Sequence, residues 1–329
     1  MGWQPFFEQQ RALSAHPEGV PARIIEQCRT AITVMTTSAT FDIAMLPGMP
    51  EMVVGDWILL DITQGFLCLL QRKTCFSRKA AGSKIKKQCI AANIDTALIV
   101  SSMNEEFNLS RIERFLALVN DSGAEAVILL SKADQTLKAA TFVAQIQAMD
   151  ASLNVQTINC LDESCQRTLA PWLNHGRTLA VLGSSGVGKS TLINALLGEA
   201  RQNTGEIRAY DTKGRHTTTR RSLIKLSSGS LILDTPGIRE IQLADCQQGI
   251  TATFSDIERY AKECHFHNCQ HLVEPNCAVQ QAIASHHLEK RRLENYLKLC
   301  QENQLNSASL SEKPSHKTKK ALGKLHKRF

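Results

Sequence analysis

Up to about Leu70 the apolar positions fall in short runs rich in Val, Ile, Thr and Phe, each cut by Gly or Pro: ITVMT, MVVGDWILLDI and FLCLL. Runs this short, repeated between turn residues, predict the strands of a small β-barrel. Trp57 and Phe66 lie in these strands; they could stack on RNA bases, although core positions are the simpler reading. The polar stretch around Gly82 reads as a linker or an exposed edge. From Asp95 the period changes. TALIVSS is a continuous apolar run, LSRIERFLALVND is apolar at helical spacing, and AEAVILLSK is continuous again. A helix near LKAATFVAQIQAM, a strand at NVQTI, a helix near CQRTLAPWL and the strand TLAVLG carry the alternation on, and LILDTPG supplies a later strand. Strands that are apolar throughout and separated by helices predict a parallel sheet covered on both faces. Past Asp245 strand character fades, and helices are expected over about 250–263 and 279–303, flanking a loop rich in Cys and His. Beyond Gln304 Ser, Lys and Pro dominate, and disorder is expected.

The strand TLAVLG runs into Gly183-Ser184-Ser185-Gly186-Val187-Gly188-Lys189-Ser190, which satisfies G-x-x-x-x-G-K-[ST] in full. A helix follows at STLINALLG, ended by Gly198, and Thr191 on its first turn belongs to the same candidate nucleotide site. The glycines let the backbone curl so that successive N–H groups face phosphate at the positive end of a helix dipole. Lys189 is expected to neutralise the β- and γ-phosphate oxygens, and the Ser190 hydroxyl to hold Mg²⁺. Downstream, Asp234-Thr235-Pro236-Gly237 ends an apolar strand. There the Asp234 carboxylate can reach Mg²⁺ through water, and the Gly237 N–H can reach a γ-phosphate. Between these motifs, Lys213-Gly214-Arg215-His216-Thr217-Thr218-Thr219 takes the position of a first switch. One of its threonines, with Thr219 the candidate, would complete the Mg²⁺ shell.

The base is addressed by Ser131-Lys132-Ala133-Asp134, at the end of the strand AEAVILL. An Asp there can accept from both N1–H and the 2-amino group of guanine, whereas adenine presents an acceptor at N1 and has no 2-amino group. Lys132 would lay its aliphatic stem along the base. A second candidate centre is Cys264-x4-Cys269-x-His271-x5-Cys277, three thiols and an imidazole within fourteen residues. Cys₃His is a closed structural zinc set, and a loop with little core of its own has reason to use one. His265 and His267 share the stretch, so the residues alone leave the imidazole open.

The order SKAD, GSSGVGKS, GRHTTT, DTPG resembles that of a circularly permuted GTPase. IAANID (90–95), FNLSRIERFLALV (107–119) and CHFHNCQHLVEPNCAV (264–279) are similar to the ribosome-small-subunit-dependent GTPase A (RsgA/YjeQ) family, over nearly the whole chain after Gly19. The resemblance implies a multidomain protein: an OB-like β-barrel over 1–75, a circularly permuted α/β P-loop GTPase domain over 76–245, a zinc-binding helical domain over 246–304 and a basic tail over 305–329. It implies GTP hydrolysis coupled to late assembly of the small ribosomal subunit and its rRNA, with release of the protein, magnesium bound with GTP, and zinc on Cys264, Cys269, His271 and Cys277. Ile238 follows DTPG where many GTPases carry a water-orienting Gln; the family shares this feature, which implies His216 as the substitute. Two positions depart from the pattern. Ser131 replaces Asn, and a hydroxyl is too short for the amide's contacts to purine N7 and the phosphate loop, so weaker nucleotide binding is expected. Thr157-Ile158-Asn159-Cys160 stands where a Ser-Ala pair is typical, leaving guanine O6 to a backbone N–H beside Cys160. A nucleotide-gated rRNA-binding module with incidental hydrolysis, or an ATP-dependent RNA factor, are the rival readings.

Composition adds charge and compartment. Apolar residues make up 43% and charged residues 21%, ordinary values for a globular protein. No apolar run reaches the roughly 18 residues that span a bilayer, and MGWQPFFEQQ lacks the build of a secretory signal, so a cytoplasmic monomer is expected. The 11 cysteines include Cys28, Cys68, Cys89 and Cys160 in apolar segments, expected to be small reduced hydrophobes without disulfides. Seven Lys/Arg in 313–329 account for the net charge of +7, and 62–94 is a second stretch with seven Lys/Arg and no carboxylate. Both suit a polyanion such as rRNA, or simply a solvated surface.

Overall fold

In the computed structural model of the chain, residues 1–28, 30–79, 87–198, 221–234 and 245–307 are described. After a short helix α1 (Pro5–Leu13) come five strands, β1 (Val20–Gln27), β2 (Ala31–Met35), β3 (Thr40–Ala44), β4 (Trp57–Leu60) and β5 (Phe66–Leu69). They pair antiparallel in the order β3-β2-β1-β4-β5. A bulge between Ile24 and Glu26 bends β1, so that its first half pairs with β4 while its second half pairs with β2. Ala22, Ile24, Ile32, Val34, Met52, Ile58 and Leu60 close over one core, with Phe66 packed against it. Among the described residues no ladder joins β3 to β5, so the expected barrel is a curled sheet without that closing seam. The alternation of exposed and half-buried residues in β3 is that of an edge strand. Trp57 is core, meeting Trp3 edge-to-face and Phe7 at a tilt, at centroid distances of 4.8 and 5.8 Å. Those contacts explain why Pro5–Leu13 is helical although its sequence was not read as such.

The basic stretch read as a linker contains a hairpin, β6 (Cys75–Lys79) and β7 (Lys87–Ala92). This pairing brings the Cα atoms of Cys75 and Cys89 to 6.3 Å, with their sulfurs side by side. Strand pairing, invisible in the spacing of the cysteines, is what sets these two residues side by side.

The central layer follows the expected alternation: β8 (Thr96–Ser102), α2 (Leu109–Ser122), β9 (Glu125–Ser131), α3 (Ala139–Gln147), β10 (Asn154–Thr157), α4 (Ser164–Leu169), β11 (Thr178–Leu182), α5 (Lys189–Leu197), β12 (Arg221–Lys225) and β13 (Leu231–Asp234). Strand order is β10-β9-β8-β11-β13-β12, parallel except for β12, and β12 continues antiparallel onto β1. Successive residues of β8 serve opposite faces: Ala97 and Ile99 enter one core, Leu98 and Val100 the other. A strand covered on both sides is apolar where both cores meet it, as Ala97–Val100 are. β12 does not stand out in the sequence, since RSLIK is only five residues long and its apolar residues, Leu223 and Ile224, neither alternate nor form a run.

Among the described residues the C-terminal helices number four where two were expected: α6 (Gln247–Thr253), α7 (Ser255–Ala261), α8 (Ala278–Ala284) and α9 (Lys290–Ser307). The break between α6 and α7 is Phe254, fully buried beneath the Arg292 guanidinium, 4.8 Å from its ring centre. α9 runs three residues past Gln304 before the described residues end. This helical unit is fastened to α2 through Glu113, whose side chain is 0% exposed. Its carboxylate accepts from Arg291 at 3.0 Å, Arg292 at 2.9 Å and Asn295. Arg292 also reaches Asp256 at 2.7 Å, and Arg114 pairs with Glu302. No helix among the described residues is long and apolar enough to cross a membrane. Removing a buried partner strands the charges it held. Glu113→Ala is therefore expected to lose about 3 kcal/mol in urea-denaturation stability, and a loss below about 1 kcal/mol would mean the network is not a fastening.

Candidate functional site

Parallel strands end together, so the loops after β8, β9, β10 and β11 share one rim of the sheet. Open α/β sheets bind their ligands there. The loop 183–190 leaves β11 through Gly183, whose φ of +143° and tight seating leave no room for a side chain: a Cβ would collide with the Val100 carbonyl oxygen. The chain thus curls against the end of β8 before α5 begins at Lys189, with Gly188 as its cap. Helix starts carry N–H groups without intrahelical partners, ready for an anion. The buried Lys189 folds back and donates from Nζ to the Ser184 carbonyl, which keeps its ammonium within the loop. Ser184, Ser190 and Thr191 are half-buried around it, and Ser185 and Gly186 are exposed.

The base loop lies directly alongside. Ser131, the last residue of β9 and 1% exposed, donates its hydroxyl to the Val187 carbonyl at 2.6 Å. The expectation that so short a side chain misses the phosphate loop is corrected. The strand end and the loop approach closely enough for a hydroxyl, and a Cβ on Gly188 would lie 3.8 Å from Ser131 Oγ. Lys132 adopts a left-handed φ of +60°, turning the chain into a 3₁₀ turn, Ala133–Gln135, that leaves Asp134 exposed. The Ala133 N–H donates to the Ile158 carbonyl at 3.3 Å, which ties in the loop after β10. Cys160 sits half-buried near Asp134, packed against the core that contains Cys165. A hydrogen bond with Cys165, burial and the neighbouring negative charge push its thiol pKa up.

Sequence reasoning missed Glu106, which brings a carboxylate oxygen to 3.7 Å from where a Cβ on Gly186 would stand. No motif marks it; only the fold of the β8–α2 loop places it there. Asp234 ends β13, but its side chain, with His216, Thr219 and Gly237, lies outside the described residues.

The metal candidates converge on a separate face. Ligand atoms of Cys264, Cys269, His271 and Cys277 all lie within 4.8 Å of one another, so this set could hold a metal ion. His271 Nδ1 stands 3.6 Å from Cys264 Sγ and 3.5 Å from Cys277 Sγ, and those sulfurs are 3.8 Å apart. His271 is thus the imidazole of the cluster; His265 and His267 are not part of it. Glu274 shapes the loop by accepting from the N–H groups of Gln270, Leu272 and Val273. Burial opposes ionisation of Cys264, yet the N–H groups of Val279 and Ala278 at the start of α8, with the neighbouring thiols, hold its pKa below the ordinary value.

The RsgA GTPase family model matches residues 69–244. "Small ribosomal subunit biogenesis GTPase RsgA 2" of Vibrio vulnificus (strain CMCP6) is 48% identical over 327 residues, covering 99% of this chain and 93% of that one. The chain belongs to the RsgA GTPase family. "Small ribosomal subunit biogenesis GTPase RsgA" of Xanthomonas campestris pv. campestris (strain B100) is 42% identical over 307 residues, covering 90% and 83%. The fold is similar to that of YjeQ from Thermotoga maritima, with a TM-score of 0.63 at 23% identity over 86% of this chain and 98% of that one. It is also similar to YloQ, described as a circularly permuted GTPase, with a TM-score of 0.59 at 22% identity over 88% and 96%. Strand order supports the permuted reading of this RsgA-family chain: the loop beginning at Ser131 follows β9 and the loop 183–190 follows β11, yet both meet on one rim.

Proposed function

We propose that this chain hydrolyses GTP on the small ribosomal subunit during late assembly, and that hydrolysis controls its release. The observation that carries the reading is the contact of Ser131 with Val187, which sets base loop and phosphate loop side by side so that one nucleotide is held at both ends. The relatives' names, which describe GTPases of small ribosomal subunit biogenesis, support the substrate and the partner.

In this reading Asp134 accepts from guanine N1–H and the 2-amino group, Lys132 covers the base, and an N–H beside Cys160 meets O6. The N–H groups of 183–191 and the Lys189 ammonium hold the phosphates and oppose the charge that develops in the transition state. Ser190, Thr219 and Asp234 would hold magnesium, which supplies positive charge to the β- and γ-phosphate oxygens when bound. The Gly237 N–H meets the γ-phosphate, and His216 orients the attacking water.

Zinc is the proposed occupant of the cysteine cluster. Zn–S bonds near 2.3 Å and Zn–N bonds near 2.0 Å in a tetrahedron require about 3.8 Å between sulfurs and about 3.5 Å from sulfur to nitrogen. The separations of 3.8, 3.6 and 3.5 Å support that geometry. Four protein donors leave no open position, so the ion's role is structural. The proposed domains are an OB-like unit over 1–75, the permuted G domain over 76–245, the zinc-bearing unit over 246–304 and the basic tail over 305–329. The basic stretches at 62–94 and 313–329 suit rRNA phosphates.

GTP turnover by the wild type, measured with purified small or large subunits, is expected to rise tenfold or more, roughly, with the small subunit alone. Lys189→Ala is expected to lose at least about 100-fold of that rate. Equal turnover in the variant refutes the phosphate-loop role, and equal response to both subunits favours a binding module with incidental hydrolysis. Elemental analysis of the purified chain is expected to give about one zinc per molecule, lost in Cys277→Ser together with thermal stability. Absence of metal from a stable wild-type protein removes the zinc assignment.

A further inference from the structure

Ser131 offers the base loop a single hydrogen-bond donor, and the structure shows where that donor goes. The Val187 carbonyl accepts from the hydroxyl at 2.6 Å, and the Ser101 carbonyl is a second acceptor at 3.4 Å. Both neighbours are acceptors, so the proton is claimed inside the protein. The side chain is 1% exposed and lies in van der Waals range of Gly188, which fixes the hydroxyl against the phosphate loop. The backbone of Ser131 is engaged as well: the residue pairs with Ser102 in the parallel ladder, and its carbonyl accepts from the Met103 N–H at 3.2 Å. Nothing on Ser131 is left to donate outward.

A purine held by Asp134 at its N1 edge and by the phosphate loop through its ribose turns its imidazole edge toward the end of β9. N7 on that edge is an acceptor and needs a donor. A carboxamide at position 131 carries two N–H hydrogens, one for a loop carbonyl and one for N7; a hydroxyl carries one. We propose that this protein does not read N7, and that Ser131 leaves recognition of the base to its Watson–Crick edge alone. The inference rests on the guanine site proposed above. Its consequence is tolerance: guanine nucleotides lacking N7 are accepted as readily as GTP and GDP.

The test uses the full-length protein and competition against a fluorescent GDP analogue, with GDP, 7-deaza-GDP and ADP as competitors. Wild type is expected to bind 7-deaza-GDP and GDP within about twofold of each other, and both far more tightly than ADP. Ser131→Asn is expected to gain roughly three- to tenfold in GDP affinity and to lose that gain with 7-deaza-GDP. Ser131→Ala, which removes the hydroxyl and with it the ties to Val187 and Ser101, is expected to weaken both guanine ligands equally. If wild type binds 7-deaza-GDP several-fold more weakly than GDP while still rejecting ADP, N7 is read and the proposal is overturned with the guanine site intact. If ADP competes as well as GDP, the guanine site itself is wrong and the proposal goes with it. The wild-type comparison decides even where Ser131→Asn does not fold.

Discussion

A nucleotide gripped at both base and triphosphate requires two loops far apart in sequence to meet at one rim, and the Ser131–Val187 hydrogen bond, across 56 residues, is where they meet. That bond is only as dependable as the strands behind it. β8 lies between β9 and β11, its residues pairing to one side with register Ser102↔Ser131 and to the other with Ile99↔Leu182. Its apolar residues enter the cores on both faces of the sheet, so a one-residue slip would exchange every side chain between faces. The positions of the two loops are therefore set by burial, and the hydroxyl refines them.

The same dependence on pairing, not on chain order, is why a permuted sequence can build this site. Strand order in the sheet is independent of the order of synthesis, so the chain ends can lie elsewhere while the rim is kept. The ends here carry additional units, and each is attached at a defined place. β1 pairs with β12 through Glu26↔Ser222 and Gln27↔Arg221, extending the central sheet into the N-terminal one. The C-terminal helices rest on α2 through Glu113 and its arginine partners. Both flanking units therefore bear on the sheet that positions the nucleotide loops.

Much of this was legible in the residues. The phosphate loop, the Asp134 loop and the parallel strands are local patterns whose physics is contained in a dozen residues, and all lie in the expected elements. The cysteine cluster was legible except for its imidazole, which three-dimensional convergence on His271 decides. What escaped was non-local. α1 is helical through contacts of Phe7 with Trp57, β12 exists through its partners β13 and β1, and the approach of Cys75 to Cys89 follows from a hairpin. The reach of Ser131 does not follow from side-chain length, because the approach of the Gly188 backbone shortens the gap.

The central claim is that Asp134 reads the base of the nucleotide whose phosphates Lys189 holds. Base exchange tests it most directly: measure GDP and XDP affinities for wild type and Asp134→Asn. An amide at this position can donate to the 2-oxo group of xanthine while accepting from N1–H, so the account predicts that preference moves from GDP to XDP in the variant. Unchanged preference for GDP in a folded Asp134→Asn protein would contradict it.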